Sequence, residues 1–151
     1  TCAWANNESG AAEEMDLCAI VDPATLSAAP GATLGLVTGE VYEEGWTEAD
    51  GVNPSLLAQL GVGPADRNPQ YEAGWTFVDA VFVQQAGGSD DYLAEGVAPL
   101  FPGTYRYGYR FSRDGGASWT WCDLAVGDVG AGSQPGLAFD LENLGVLTVA
   151  E

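Results

Sequence analysis

Between residues 104 and 112 an aromatic ring occupies every second position: Tyr105, Tyr107, Tyr109 and Phe111, separated by Arg106, Gly108 and Arg110. Successive side chains of a strand point to opposite faces, so this spacing puts four rings on one face of a strand. Arg113-Asp114-Gly115-Gly116-Ala117 reads as a turn, because paired glycines accept positive φ without steric cost. Residues 118–124 are the return strand. With Ser112 opposite Ser118, Phe111 faces Trp119 and Tyr109 faces Trp121, and six aromatics share one face. Aromatic cross-strand pairs contribute roughly 0.2–1 kcal/mol each. A hairpin with that much ring area on one side belongs in a sheet whose face is covered by a second layer.

The remaining text supplies the partners. Strands are expected over 17–21, 24–28, 33–42, 56–62, 75–84, 91–100 and 145–150, divided by Pro/Gly-rich breaks at 22–23, 30–31, 63–69, 85–90 and 102–103. The stretch 75–84 is nearly all apolar, as in a strand buried on both faces. Residues 125–143 read as a long loop. About eight strands in 151 residues predict an all-β, Ig-like, two-sheet antiparallel β-sandwich over 17–151. Residues 1–16 are polar and acidic and read as an N-terminal arm or linker. The chain has no initiating Met and no signal peptide, so it reads as a processed mature protein or an excised domain.

The charge balance excludes whole classes of function. Twenty-two acids stand against four arginines, with no Lys and no His, giving a formal charge of -18. Nucleic acid is excluded, since phosphate neutralisation needs a basic surface. No apolar run is long enough for membrane insertion. Without His there is no Ser-His-Asp or Cys-His mechanism, and without Lys no Schiff base and no P-loop lysine. No cofactor is expected; calcium is the one ion that acidic loops suit, and the sequence carries no EF-hand-type loop. Among 22 acids some pair will lie at a glycosidase spacing by chance, so no catalytic residue is assigned and the chain is read as a non-enzyme.

Cys2, Cys18 and Cys122 leave one cysteine over if a single bridge forms. The preferred disulfide is Cys18–Cys122, which ties the first core strand to the hairpin. Cys2 is then free or intermolecular. Cys2–Cys18, Cys2–Cys122 and three thiols remain open. In the register above, Cys122 faces away from the six rings, so either the bridge lies outside the main core or the register is shifted by one residue.

The candidate ligand-binding residues are Trp46, Trp119, Trp121, Arg106 and Arg110. Exposed rings flanked by hydrogen-bonding groups suit sugars; rings alternating on central strands are ordinarily core. Trp46, in a Gly/Glu loop, is the aromatic expected to be most exposed, or else a lid over one end of the sandwich. Arg106 and Arg110 share the face opposite the tyrosines and are expected to pair with carboxylates such as Asp79 or Glu95. Arg67 and Arg113 read as surface charges.

The hairpin, G-x-Y-x-Y-x-Y-R-F-S-x-D-G-G-x-S-W-x-W-C-D-L over 103–124, resembles a module that recurs in secreted multidomain proteins of Gram-negative bacteria. Gly39-Glu40-Val41-Tyr42-Glu43-Glu44-Gly45, Ala58-Gln59-Leu60-Gly61-Val62-Gly63-Pro64, Trp75-Thr76-Phe77-Val78-Asp79-Ala80 and Asp90-Asp91-Tyr92 resemble further parts of it. The resemblance covers about 17–129. It implies an Ig-like architecture, shared in outline with starch-binding modules of amylases, and it implies secretion or a cell-surface location. Two functions are expected from these readings. The first is a non-catalytic structural subunit of a filament-like surface assembly, whose partners are copies of itself met through the arm residues Cys2 and Trp4. The alternative is a carbohydrate-binding or adhesion module whose partner is a polysaccharide.

Overall fold

The computed structural model describes residues 17–43, 45–49, 51–69, 72–124, 142 and 144–151. Cys2, Trp4 and the rest of the arm, and nearly all of the expected 125–143 loop, lie outside the described residues. Ten strands are present among those described: β1 (Leu17–Asp22), β2 (Thr25–Ala28), β3 (Val37–Tyr42), β4 (Leu57–Pro64), β5 (Thr76–Asp79), β6 (Val81–Ala86), β7 (Ser89–Ala94), β8 (Gly103–Ser112), β9 (Thr120–Cys122) and β10 (Gly145–Val149). They form two sheets, one of order β1-β3-β7-β6 and one of order β2-β10-β8-β4-β5 with β9 also on β8. All pairings are antiparallel except β2 with β10. The fold is the expected β-sandwich.

The stretch 75–84 divides into two strands that belong to different sheets. Ala80 is the crossing point, and its amide donates to the Ala58 carbonyl at 2.9 Å. A continuous apolar run carries no signal for such a switch. Val81 and Val83 are exposed, so this segment is not buried on both faces as its composition suggests. The expected strand over 33–42 is confined to its second half, where Val37, Gly39 and Val41 turn inward and Thr38, Glu40 and Tyr42 turn outward.

β8 is the axis of the larger sheet. Along one edge it pairs with β4 from Tyr105 to Ser112. Along the other it takes β10 beside Gly103–Tyr107 and β9 beside Tyr109–Phe111. Its inward face carries Tyr107, Tyr109 and Phe111, all fully buried with Ile20, Val37, Val41, Leu60, Leu144 and Leu147. Both buried phenols of β8 have partners, as burial demands. Tyr107 donates to the Pro23 carbonyl, and Tyr109 donates to the Val37 carbonyl at 2.7 Å across the sandwich.

The β8–β9 register differs by one residue from the sequence expectation. Tyr109 pairs with Cys122, Arg110 with Trp121 and Phe111 with Thr120. Trp121 therefore leaves the tyrosine face, and Cys122 joins it. The turn explains the shift. The Asp114 carboxylate accepts from Ser112 Oγ at 2.7 Å, Ser118 N at 2.9 Å and Ser118 Oγ at 2.6 Å, closing a loop in which Gly115 and Gly116 have φ of 75° and 95°. The Ser118 bonds and then the Ser112 bond hold the Asp114 carboxyl down at about 2. With Cys122 turned inward the Cys18–Cys122 disulfide forms inside the core and joins β1 of one sheet to β9 of the other. The contradiction between bridge and register is thereby removed.

Candidate functional site: a ring-covered outer sheet face

One slip of register flips every side chain of a strand, and here it builds a surface. On the outward face of the larger sheet, Trp121, Arg110, Gln59 and Asp79 lie side by side on β9, β8, β4 and β5, each the register partner of the next. The next rung reads Gly108, Gly61, Phe77. A Cβ on Gly61 would lie 2.5 Å from the Phe77 ring, and one on Gly63 would lie 2.4 Å from the Trp75 indole. The two β4 glycines are thus seats for two rings that lie down across the strand, an arrangement known to stabilise glycine-bearing strands. The Trp75 indole N–H donates to the Arg67 carbonyl at 3.0 Å, which fixes the ring's orientation.

Arg110 sits at the centre. Its guanidinium carbon is 3.6 Å from the Phe77 ring centroid, 3.9 Å from Trp119 and 5.2 Å from Trp121. Phe77 and Trp121 meet edge to face at 5.7 Å. Cation–π contacts of this kind are worth about 0.5–2 kcal/mol depending on how far they are desolvated. Nε and Nη2 of Arg110 donate to Gln59 Oε1 at 2.8 and 2.5 Å, and Gln59 Nε2 in turn donates to Asp79 Oδ1 at 3.0 Å. Burial under the rings pushes the guanidinium down to about 10, so it stays charged at neutral pH. The result is a strip of half-buried rings, Trp75, Phe77 and Trp119, with Trp121 beneath at 9% exposure and the amide and carboxylate of Gln59 and Asp79 along its border.

Of the residues singled out from the sequence, Trp119, Trp121 and Arg110 come together here. Arg106 and Trp46 do not join them. The Arg106 guanidinium donates to the carbonyls of Glu142 and Leu144 at 3.1 and 3.0 Å and so anchors the start of β10. Among the described residues neither arginine pairs directly with a carboxylate: Gln59 stands between Arg110 and Asp79, and Glu95 is exposed. Trp46 is half-buried against the core with the Arg113 guanidinium 5.4 Å from its ring centroid, which makes it the lid at the sandwich end. Arg113 is ion-paired with the buried Glu43, not a free surface charge. Sequence reasoning missed Phe77 and Gln59, did not carry Trp75 into the candidate set, and named Asp79 only as an acid for the arginines. The available signal was the match of two alternations, Gly61-x-Gly63 with Trp75-x-Phe77, which only pairing between distant segments makes meaningful.

A concavity of about 600 Å³ opens elsewhere, lined by Val62, Pro64, Val78, Val97, Leu100 and Phe101 among others. Its lining contains no charged side chain. Ligand sites owe orientation and specificity to a few placed polar groups; the ring strip has an amide and a carboxylate at its border, whereas the polar side chains of the concavity are Thr76 and Tyr105, whose hydroxyls donate to the Val62 and Phe101 carbonyls. Among the described residues no cluster of three or more His, Cys, Asp or Glu is arranged to hold a metal. No helix among them is long and apolar enough to cross a membrane.

Fold and site together define a disulfide-bridged β-sandwich with an aromatic strip on one outer sheet face. Comparison with known proteins places similar sequence inside larger polypeptides. A 100-residue stretch is 36% identical to part of the amylopullulanase of Thermoanaerobacter thermohydrosulfuricus, covering 56% of this chain and 7% of that protein. A 101-residue stretch is 31% identical to part of the amylopullulanase of Thermoanaerobacterium saccharolyticum, covering 58% of this chain and 8% of that protein. The matched region is less than a tenth of either relative's length. No protein-family model matches the sequence.

Proposed function

We propose that this domain is a non-catalytic carbohydrate-binding module of a secreted protein, and that it holds an uncharged polysaccharide against the Trp75–Phe77–Trp119 strip. The observation that carries the reading is the in-register strip itself: half-buried rings on a solvent-side sheet face, bordered by Gln59 and Asp79. Flat rings cover the apolar faces of sugar rings while border groups take their hydroxyls. An internal disulfide fits an oxidising, extracellular setting. Similarity to segments of amylopullulanases supports the same reading and makes amylose and pullulan the first ligands to test.

The restriction to uncharged glycans follows from the arginines. Acidic polysaccharides present carboxylates or sulfates, which need a cation and meet repulsion from a surface of charge -18. All four cations have partners within the protein: Arg67 with the Ala73 carbonyl, Arg106 with two carbonyls, Arg110 with Gln59 and its rings, Arg113 with Glu43.

Affinity electrophoresis tests this. The wild-type band is expected to be retarded by amylose or pullulan and not by polygalacturonate. Trp119→Ala, which loses one stacking surface, is expected to bind about tenfold more weakly, whereas Trp46→Ala is expected to bind as wild type. Retardation by no neutral polysaccharide, or equal loss from Trp46→Ala, would refute the assignment.

A further inference from the structure

On the smaller sheet, across β3 from Cys18 and paired like it with Val41, a buried acid lacks any partner. Asp90 on β7 is 0% exposed, and neither of its carboxylate oxygens has a hydrogen-bond partner. Its register partner on β6 is Gln85, whose Oε1 is likewise buried and unpartnered. The orientation of that amide is not arbitrary. Gln85 Nε2 donates to the Thr47 carbonyl at 2.6 Å and to the Gly87 carbonyl at 2.9 Å, so the NH2 must be where it is and the oxygen must point the other way. Two buried acceptor groups therefore stand on directly paired residues, and neither has a donor. Unpartnered buried polar groups are costly, and such pairs in native structures call for a proton, an ion or a water.

The surroundings favour the proton. The titratable groups on the elements packed round Asp90 are Glu40 and Tyr42 from β3, Glu43 just past it, Asp91 and Tyr92 from β7, Glu48 from the 45–49 segment and Arg113 just past β8; β6 brings none. Arg113 is the single cation among them, and it is committed to Glu43. Burial, and then the neighbouring charge of Asp91, push the Asp90 carboxyl up to about 6. The same pocket organises the local chain: Gln85 holds the Thr47 carbonyl, and the Thr47 hydroxyl donates to the Gly88 carbonyl at 2.7 Å.

We propose that the junction between the β6–β7 turn and the 45–49 segment is a proton-operated latch, closed when protonated Asp90 donates to Gln85 Oε1 and loosened when Asp90 ionises. The step is a simple proton binding; no bond other than O–H forms or breaks. The sign follows from the raised affinity for the proton. The latch is fully closed below the pH at which a free aspartate titrates, and closure is lost as pH rises through about 6. The latch is independent of the glycan strip, which lies on the outer face of the other sheet.

Amide hydrogen exchange of the full chain at pH 5 and pH 8, corrected for intrinsic exchange chemistry, tests it. In wild type the opening of 45–49 and 85–90 is expected to rise by up to about 100-fold between the two pH values. In Asp90→Asn, whose amide donates to Gln85 at every pH, it is expected to be flat. Carbon-13 titration of the aspartate carboxyls in wild-type protein needs no variant, and one carboxyl is expected to titrate near pH 6. The same pH dependence in Asp90→Asn, or no aspartate titrating above pH 5, overturns the latch. Suppression of opening at pH 8 by added calcium in wild type also overturns it, since a cation would then be the occupant.

Discussion

Reducing the Cys18–Cys122 bridge is expected to lower the free energy of unfolding by about 4–5 kcal/mol. The two cysteines are 104 residues apart in sequence, so the bridge withholds a very long loop from the unfolded ensemble. The native state loses little in exchange. Both cysteines are fully buried among apolar neighbours, and reduced thiols pack as small hydrophobes. A domain of this size is held by roughly 5–15 kcal/mol in total, so the reduced protein retains at best a part of its stability. Urea unfolding with and without reductant measures the difference. Thermal unfolding should fall by roughly 10–20 °C. An unchanged urea midpoint in protein shown by mass to be fully reduced would mean that the unfolded chain is not constrained by this bridge.

Gly145→Ala is the second large effect, expected to cost about 3 kcal/mol. Gly145 on β10 is the register partner of Tyr107 on β8. A Cβ there would lie 2.2–2.7 Å from three atoms of the Tyr107 ring, well inside contact distance. The ring has nowhere to go: it is fully buried and tied through its hydroxyl to the Pro23 carbonyl. Relief requires separating β10 from β8 or breaking that hydrogen bond. Gly35→Ala is the matched control, because its Cβ would meet Leu26 Cδ2 at an ordinary 3.6 Å, and it is expected to change stability by less than about 0.5 kcal/mol. If Gly145→Ala and Gly35→Ala give the same urea midpoint, the ring does not rest on Gly145. Combining Gly145→Ala with Tyr107→Leu should cost less than the sum of the two, as for residues in contact.

Much of the core was legible because it is local. The alternation of Tyr105, Tyr107, Tyr109 and Phe111 identifies the central strand without knowledge of its neighbours, and Gly115-Gly116 marks its end. The cysteine nearest that strand was readable as a bridge partner on the same basis. The candidate site was legible only in fragments. Trp119, Trp121 and Arg110 were all named as candidates, but the two tryptophans were expected on the tyrosine face and Arg110 on the opposite one, where the fold brings them together. The count of residues in a glycine turn does not determine whether the return strand enters in one register or the next, and each choice sends Trp121 to a different side. Gln59, Asp79, Trp75 and Phe77 come from strands up to fifty residues away, and nothing local says that Gly61 lies under Phe77. Arg110 was expected to seek an acid because acids are abundant. In the fold it meets Gln59 first, since register and not abundance decides which side chain stands beside it.

The bridge also decides how the domain behaves when it is pulled. Tension entering the chain at β1 reaches Cys18 within two residues, crosses to Cys122 and leaves through β10. The strands enclosed between the two cysteines, which include most of both sheets, stay off the load path while the S–S bond holds. Stretching can release only the segments outside the loop, so about 350 Å of contour length remains locked. A domain pulled by its two ends would in this way yield only outside the bridge, and a change of redox state would let the enclosed strands extend as well.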